Sequence, residues 1–245
     1  MSSHAHDDTG QHDGGGNGHL HAHAHAQSFP DANAQYFDAH AHEMDERPAH
    51  QELAQRVSAA LLDAYQFKEE ETVVMDFACG TGLVSRALAP HAKTIIGVDI
   101  SQGSVDEFNR RVENQGILPE EMRAVRAELK GEDSELDGLR FDLIVCSMAY
   151  HHFASYVDMT RILAFFLKAG GHLFVVDIMK NEDGMAVIPQ KFGHIVPHLH
   201  GLSESDMRGA FEGAGLQDFS YGLLTKMKRN GKDESLFLTK GVKAL

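Results

Sequence analysis

Asp76-Phe77-Ala78-Cys79-Gly80-Thr81-Gly82, followed by Asp99 seventeen residues beyond the last glycine, combine residue types and a spacing that suit a charged, ribose-bearing ligand. The apolar run Thr72-Val73-Val74-Met75 leads into an acid and then into glycines, the pattern of a strand entering a tight turn. Glycines let a ligand lie against such a turn because no Cβ intrudes and positive φ costs little. A second apolar run, Thr94-Ile95-Ile96-Gly97-Val98, reads as the next parallel strand and brings the Asp99 carboxylate to the carboxyl edge of the sheet. There it can accept both hydroxyls of a ribose. A dinucleotide would need its pyrophosphate on the helix N-terminus, usually with a third glycine; here Ser85 stands at that position and Asp76 would repel a pyrophosphate. The same anion suits a ligand that carries ammonium and sulfonium groups.

A second group follows the run Phe141-Asp142-Leu143-Ile144-Val145, in Cys146-Ser147-Met148-Ala149-Tyr150-His151-His152-Phe153. An imidazole titrates near neutral pH, so His151 is the candidate general base for a hydroxyl or thiol. His152 is read either as a substrate contact or as a ring tied to backbone, since buried polar groups normally have partners. His194, His198 and His200 lie on a loop ahead of a helix, and functional residues concentrate on such loops; His198 is the candidate substrate contact. No carboxylate or cysteine ligand set accompanies these histidines, so no metal site is expected. Met179, Met185 and Phe192 are candidates for an apolar pocket wall, with core packing as the alternative.

The elements that must position these residues can be read from periodicity. Strands are expected over 72–77, 94–98, 122–127, 141–145 and 171–177, alternating with helices over 83–88, 103–115 and 155–168, the βαβ pattern of an open parallel sheet. A helix from Pro48 to about Tyr65 precedes them, with Leu53, Val57, Ala60, Leu61 and Ala64 at helical spacing. Ser203 is a helix N-cap followed by the acids Glu204 and Asp206. Two last strands, 216–224 and 234–241, flank Arg229-Asn230-Gly231-Lys232, a hairpin signal.

A chain of 245 residues suits one α/β domain with a full core. Lys and Arg number 22 against 36 for Asp and Glu, a net charge of -14, and this field opposes a nucleic-acid backbone. The densest basic stretch, Lys226 to Arg229, is read as a solvated turn between strands. No apolar run has membrane-spanning length and no basic start with an apolar core marks a secretory signal, so a soluble, cytoplasmic protein is expected. Cys79 and Cys146 are read as buried small hydrophobes. Residues 1–28 are mostly Gly, His, Ala, Asp and Ser, and ten of the seventeen histidines fall within the first 50 residues. That segment cannot bury a core and is expected to be a disordered tail, whose imidazoles are able to take up metal although a solvated tail is the default.

The hydrophobic-Asp-x-Ala-Cys-Gly-Thr-Gly turn, Asp99 and the terminal hairpin resemble the class I S-adenosylmethionine-dependent methyltransferases, in particular small-molecule enzymes such as those of fungal natural products, over roughly residues 35–245. The resemblance implies an α/β, Rossmann-like seven-stranded sheet, mostly parallel, with a C-terminal antiparallel hairpin and helices on both faces. It implies S-adenosyl-L-methionine as cofactor, released as S-adenosyl-L-homocysteine, and a methyl group passed to an O, S or N atom of a small molecule, with no nucleic-acid or membrane partner. By the same resemblance Asp76, Ala78, Gly80, Gly82 and Asp99 line the cofactor turn, and Ile100 packs on the adenine. Glu128 stands where relatives carry an Asp that accepts the adenine amino group, the Leu129 N–H meets adenine N1, and Ser147 lies at the methionine end. Residues 29–70 would form a helical lid in which Tyr36 or Phe37 closes the pocket, over a catalytic domain of residues 71–245. Ser147-Met148-Ala149-Tyr150 departs from the Asn/Asp-Pro-Pro-aromatic motif of enzymes acting on nucleobases or glutamine, which points away from those substrates. Two other readings stay open. A nicotinamide oxidoreductase shares the ribose acid but would want the third glycine and a Tyr-x-x-x-Lys pair, and a cofactor-binding scaffold without turnover shares every cofactor residue.

Overall fold

The computed structural model describes residues 27–181, 183–229 and 232–245; the histidine-rich segment before residue 27, with its expected disorder and metal affinity, and the Asn230-Gly231 pair lie outside the described residues. Strands β1 (Val73–Phe77), β2 (Thr94–Asp99), β3 (Met122–Arg126), β4 (Phe141–Ser147), β5 (Leu167–Ile178), β6 (Leu216–Arg229) and β7 (Lys232–Lys243) form one sheet in the order β3-β2-β1-β4-β5-β7-β6. The first five run parallel, and β7 lies antiparallel between β5 and β6. Six helices accompany them among the described residues: α1 (Phe29–Met44), α2 (Pro48–Ala64), α3 (Leu83–Leu88), α4 (Gln102–Asn114), α5 (Tyr156–Phe166) and α6 (Glu204–Gly213). This is the Rossmann-like seven-stranded arrangement expected from the sequence.

The strands read as continuous apolar runs because both faces of the sheet are covered. Side chains alternate across the pleat, so Val74, Ile95, Leu143 and Val145 meet Val57 and Leu61 of α2, Leu88 of α3 and Phe108 of α4 on one face. Met75, Ile96, Ile144 and Cys146 meet Leu163 and Phe166 of α5 and Met207 and Phe211 of α6 on the other. A third apolar cluster, built from Ile178, Ile188, Ile195, Val196, Leu199 and Leu236, sits beyond the carboxyl end of β5 and receives Tyr36 of α1.

The terminal hairpin is longer than its apolar pattern suggests. The ladder continues from Thr225↔Leu236 to Arg229↔Lys232, so Lys226 and Lys228 belong to β6 and not to a turn. Charged side chains standing out of an edge strand do not interrupt its backbone pairing, and they also discourage edge-to-edge association. Ser203 caps α6 as expected and completes a capping box with Asp206. Helix α1 is the element that periodicity does not announce, because alanine and histidine dilute its apolar stripe. Its start is nevertheless written locally: Ser28 accepts the Asp31 N–H at 3.2 Å and Pro30 occupies the first turn.

Candidate active site

The turn after β1 is built by backbone conformations that favour glycine. Gly80 has φ +53°, and a Cβ placed there would meet nothing within 4 Å, so its outer face is open to a ligand. Gly82 has φ +83° and a different reason to be glycine: a Cβ would lie 2.5 Å from the Phe108 ring of α4. Ala78 adopts φ +55° despite carrying a Cβ, a strain of the kind retained near functional sites.

Asp99, at the end of β2, closes this turn. Its two carboxylate oxygens accept the Gly80 N–H at 2.8 Å and the Ser101 N–H at 2.9 Å. A carboxylate offers about four lone-pair sites, so the backbone donors leave accepting capacity for a ligand hydroxyl. Burial, and to a lesser degree the charge of Asp38, push its carboxyl above the ordinary value, while the N–H donors oppose them. Asp76 is more deeply buried and accepts the Ser85 hydroxyl at 2.5 Å. Burial pushes it up to about 7, with Asp99 adding to the rise against the Ser85 hydrogen bond. Burial makes the anion of Asp76 costly on its own, and a cation bound beside it would favour the ionised form. Ser85, standing where a third glycine would be in a dinucleotide site, thus serves the acid.

Beside Asp99 a cavity of about 250 Å³ lies between Pro30 and Ala34 of α1 and the residues Ile100, Ala127 and Glu128. Ile100 and Glu128 therefore border one space. Glu128 is exposed and pairs with Lys130 at 2.7 Å, while Leu129 is buried in the core below.

Helix α1 spans the mouth of the site and is pinned at three points. Asn33 donates from Nδ2 to the Ile195 carbonyl at 2.9 Å, 162 residues away. Asp38 accepts the Ser101 hydroxyl at 2.6 Å and the Gly103 N–H at 2.9 Å, next to Asp99. Asp45 accepts the Thr81 hydroxyl of the glycine turn and pairs with Arg86 and Arg111. Phe37 meets the His152 ring edge-on at a centroid distance of 5.5 Å, and Tyr36 stacks on His40. Asp38 and Asp45 were not legible as site residues; their signal was only an acid after Tyr36-Phe37 and another before the second helix.

At the carboxyl end of β4, Ser147 is half-buried and Met148 takes φ +59° as the chain turns. His151 is buried, and its Nδ1 lies 2.6 Å from Asp177 Oδ1, while its backbone N–H reaches Oδ2 at 3.2 Å. Burial would raise the Asp177 carboxyl, but the His151 ring and the N–H groups of Ile178 and His151 hold it below the ordinary value. Asp177 is the functional candidate that the sequence reading missed; an acid ending the apolar run Leu173 to Val176 was its only mark.

His152 donates from Nδ1 to the Ile195 carbonyl at 3.0 Å, the carbonyl that Asn33 also uses. The helix after it is capped by Ser155 and not by a histidine. His198 donates from Nε2 to the Phe153 carbonyl at 2.9 Å, and burial lowers its pKa. His194 and His200 are exposed and bond to the Lys191 and Gly184 carbonyls, so of the loop histidines His198 alone turns toward the His151 region. Met185 is 62% exposed and so forms no pocket wall, whereas Phe192 packs in the third apolar cluster. Among the described residues no group of three or more His, Cys, Asp or Glu could hold a metal ion.

An open parallel sheet with a glycine turn after β1, an acid after β2 and a terminal antiparallel hairpin defines a nucleoside-binding α/β domain of the methyltransferase type. A family model described as a methyltransferase domain matches residues 40–221, and the chain belongs to this family, with the class I S-adenosylmethionine-dependent fold. An uncharacterized methyltransferase of Schizosaccharomyces pombe is 35% identical over 158 residues, covering 62% of this chain and 56% of the relative. A ubiquinone biosynthesis O-methyltransferase of Coxiella burnetii is 32% identical over 111 residues, 44% of each chain. The chain thus spans about half the length of the curated relatives it matches. Two solved structures share the fold at low identity. The 4+2 cyclase SpnF has a TM-score of 0.69 at 15% identity, over 90% of this chain and 98% of that one. Magnesium protoporphyrin IX methyltransferase from Synechocystis PCC 6803 with bound S-adenosylmethionine has a TM-score of 0.64 at 17% identity, over 89% and 99%.

Proposed function

We propose that the protein transfers a methyl group from S-adenosylmethionine to an oxygen, sulfur or nitrogen atom of a small molecule. The observation that carries this reading is Asp99, held by the Gly80 and Ser101 N–H groups beside the open face of the glycine turn. When bound, the cofactor supplies a methyl group on a positively charged sulfur. The chain's own residues fit such a group: Asp99 for the ribose, the cavity by Ile100 and Glu128 for the adenine, and Asp76 for positive charge. Gly80 offers close approach of the backbone, Leu129 a backbone N–H at the adenine edge, and Ser147 a position at the methionine end.

The pinned helix α1 and helix α2 act as a lid that excludes water and aligns the reactants, which is the main contribution an enzyme can make to in-line transfer. Phe37, with His152 against it, and Tyr36 and His198 form the acceptor side. His151 takes the acceptor's proton. The acceptor is a small molecule because the net charge of -14 disfavours nucleic acid.

Calorimetric titration with S-adenosylhomocysteine, with NAD in parallel, tests the reading. Micromolar or tighter binding of the former alone is expected; binding of NAD alone would overturn it. Binding without turnover of any thiol, phenol or amine acceptor would favour a scaffold.

A further inference from the structure

We infer that Asp177 is a positioning residue that makes His151 a base, and that the pair marks the methyl acceptor as a hydroxyl compound of phenol or enol type. This inference rests on the methyl-transfer reading and names its substrate class.

The argument begins with register. In the parallel β4–β5 pair Ser147 lies opposite Val176, so Asp177 falls one residue further along, at the carboxyl edge where the chain leaving β4 makes the turn that holds His151. Asp177 is fully buried, and each of its oxygens is used: Oδ1 accepts the His151 ring at 2.6 Å and the Ile178 N–H at 2.6 Å, and Oδ2 accepts the His151 N–H. An ionised carboxylate has no proton to give, so the proton in the ring contact belongs to His151 Nδ1. That assignment leaves the Nε2 lone pair as the basic one, with the ring orientation set by two separate bonds to a single carboxylate. A carboxylate fixing the tautomer of a histidine and stabilising its protonated form is a general arrangement for proton removal.

The nucleophiles differ in what they need from such a pair. An amine attacks through its neutral lone pair and sheds its proton afterwards, and a thiol with a pKa of about 8.5 supplies thiolate near neutral pH without help. A phenolic hydroxyl, with a pKa of about 10, is mostly protonated and must lose its proton as it attacks. In the balanced step the O–H proton passes to His151 Nε2 and the oxygen pair forms the O–CH3 bond. The C–S bonding pair stays on sulfur as a neutral thioether, and the imidazolium rests against Asp177 until solvent takes the proton. The third apolar cluster beyond β5, against which Tyr36, Met148 and Phe192 pack, makes the surroundings of the turn that holds His151 apolar, in keeping with an aromatic acceptor.

The test uses the full chain labelled with 15N-histidine, the variant Asp177→Asn, and p-cresol, p-thiocresol and p-toluidine as acceptors that share one ring and differ in the nucleophilic atom. The wild-type spectrum is expected to show His151 protonated at Nδ1, and Asp177→Asn to lose that single tautomer. Turnover of p-cresol should fall about a hundredfold, the scale of general-base catalysis, with KM and S-adenosylhomocysteine affinity within about twofold, since only the transition state is affected. Turnover of p-thiocresol should fall less than about fivefold, since a thiolate needs little help from a base. A merely structural Asp177 would lower all activities together with the folded fraction. An unprotonated Nδ1 in the wild type, or equal losses for the phenol and the thiol, would overturn the inference. The wild-type spectrum carries the test alone should the variant fail to fold. Loss of S-adenosylhomocysteine binding by the wild type would instead remove the methyl-transfer reading, which separates the two failures.

Discussion

Replacing Asp76 with asparagine should change how cofactor binding depends on pH. Burial raises this carboxyl from 3.8 to about 7 in the unliganded protein. With that pKa about one site in eleven is ionised at pH 6 and about ten in eleven at pH 8. A ligand cation that recognises the carboxylate therefore meets about tenfold more of the competent form at the higher pH, equivalent to about 1.4 kcal/mol. The asparagine side chain of Asp76→Asn keeps an oxygen for the Ser85 hydroxyl but carries no charge, so the variant's pH dependence is that of the ligand's own groups. The quantity to follow is the ratio of wild-type to variant affinity for S-adenosylhomocysteine, by calorimetry between pH 6 and pH 8; it should rise about tenfold and level off above pH 8. Stability gives an independent check with the opposite sign. Between about pH 4 and pH 7 the folded state holds a proton that the unfolded chain has released, so this acid's contribution to stability falls as pH rises through that window. The variant should match the wild type near and below pH 4 and exceed it increasingly up to about pH 7, with the full difference present at pH 8. A constant affinity ratio across the range would refute the assignment of Asp76 to the cofactor's positive charge.

Asp99→Ala should weaken S-adenosylhomocysteine binding by about 1 to 3 kcal/mol, the loss expected for hydrogen bonds to a charged acceptor; unchanged affinity in a folded variant would remove it from the ribose role. Ala78→Gly relieves a φ of +55° and should raise the melting temperature by an amount corresponding to about 1 kcal/mol, whereas Gly82→Ala drives a Cβ against Phe108 and should cost about 1 to 3 kcal/mol in denaturant unfolding. His172 has a buried Nδ1 without a hydrogen-bond partner, and its pKa is lowered by burial first and then by Lys240. Its contribution is present above the unfolded value of about 6.5 and is lost as pH falls through the lower folded value. Denaturation midpoints of His172→Phe should therefore fall less than those of the wild type between pH 7.5 and pH 5.

The glycine turn with Asp99 beside it and most of the sheet were legible in the sequence because they follow from local requirements. Positive φ at Gly80 and Gly82, an acid one residue past an apolar strand, and the alternation of strand and helix periods are all recorded within a few residues of one another. Helix α1 was half legible: its Ser28 cap and proline are local, but its place over the site rests on Asn33, Asp38 and Asp45 meeting groups far along the chain. Lys226 and Lys228 looked like a turn because charge run and edge strand have the same composition.

Sequence alone determined the fold class, the glycine turn, the acid Asp99 at the end of β2 and the presence of a histidine pair after β4. Tertiary structure alone decided what those histidines bond to. His151 and Asp177 are 26 residues apart, and the pairing of Ser147 with Val176 is what makes them neighbours. His152 and Asn33 share one carbonyl of the Ile195 loop for the same kind of reason. Periodicity reports which face a residue takes, but strand register and long-range hydrogen bonds depend on the packing of the whole sheet.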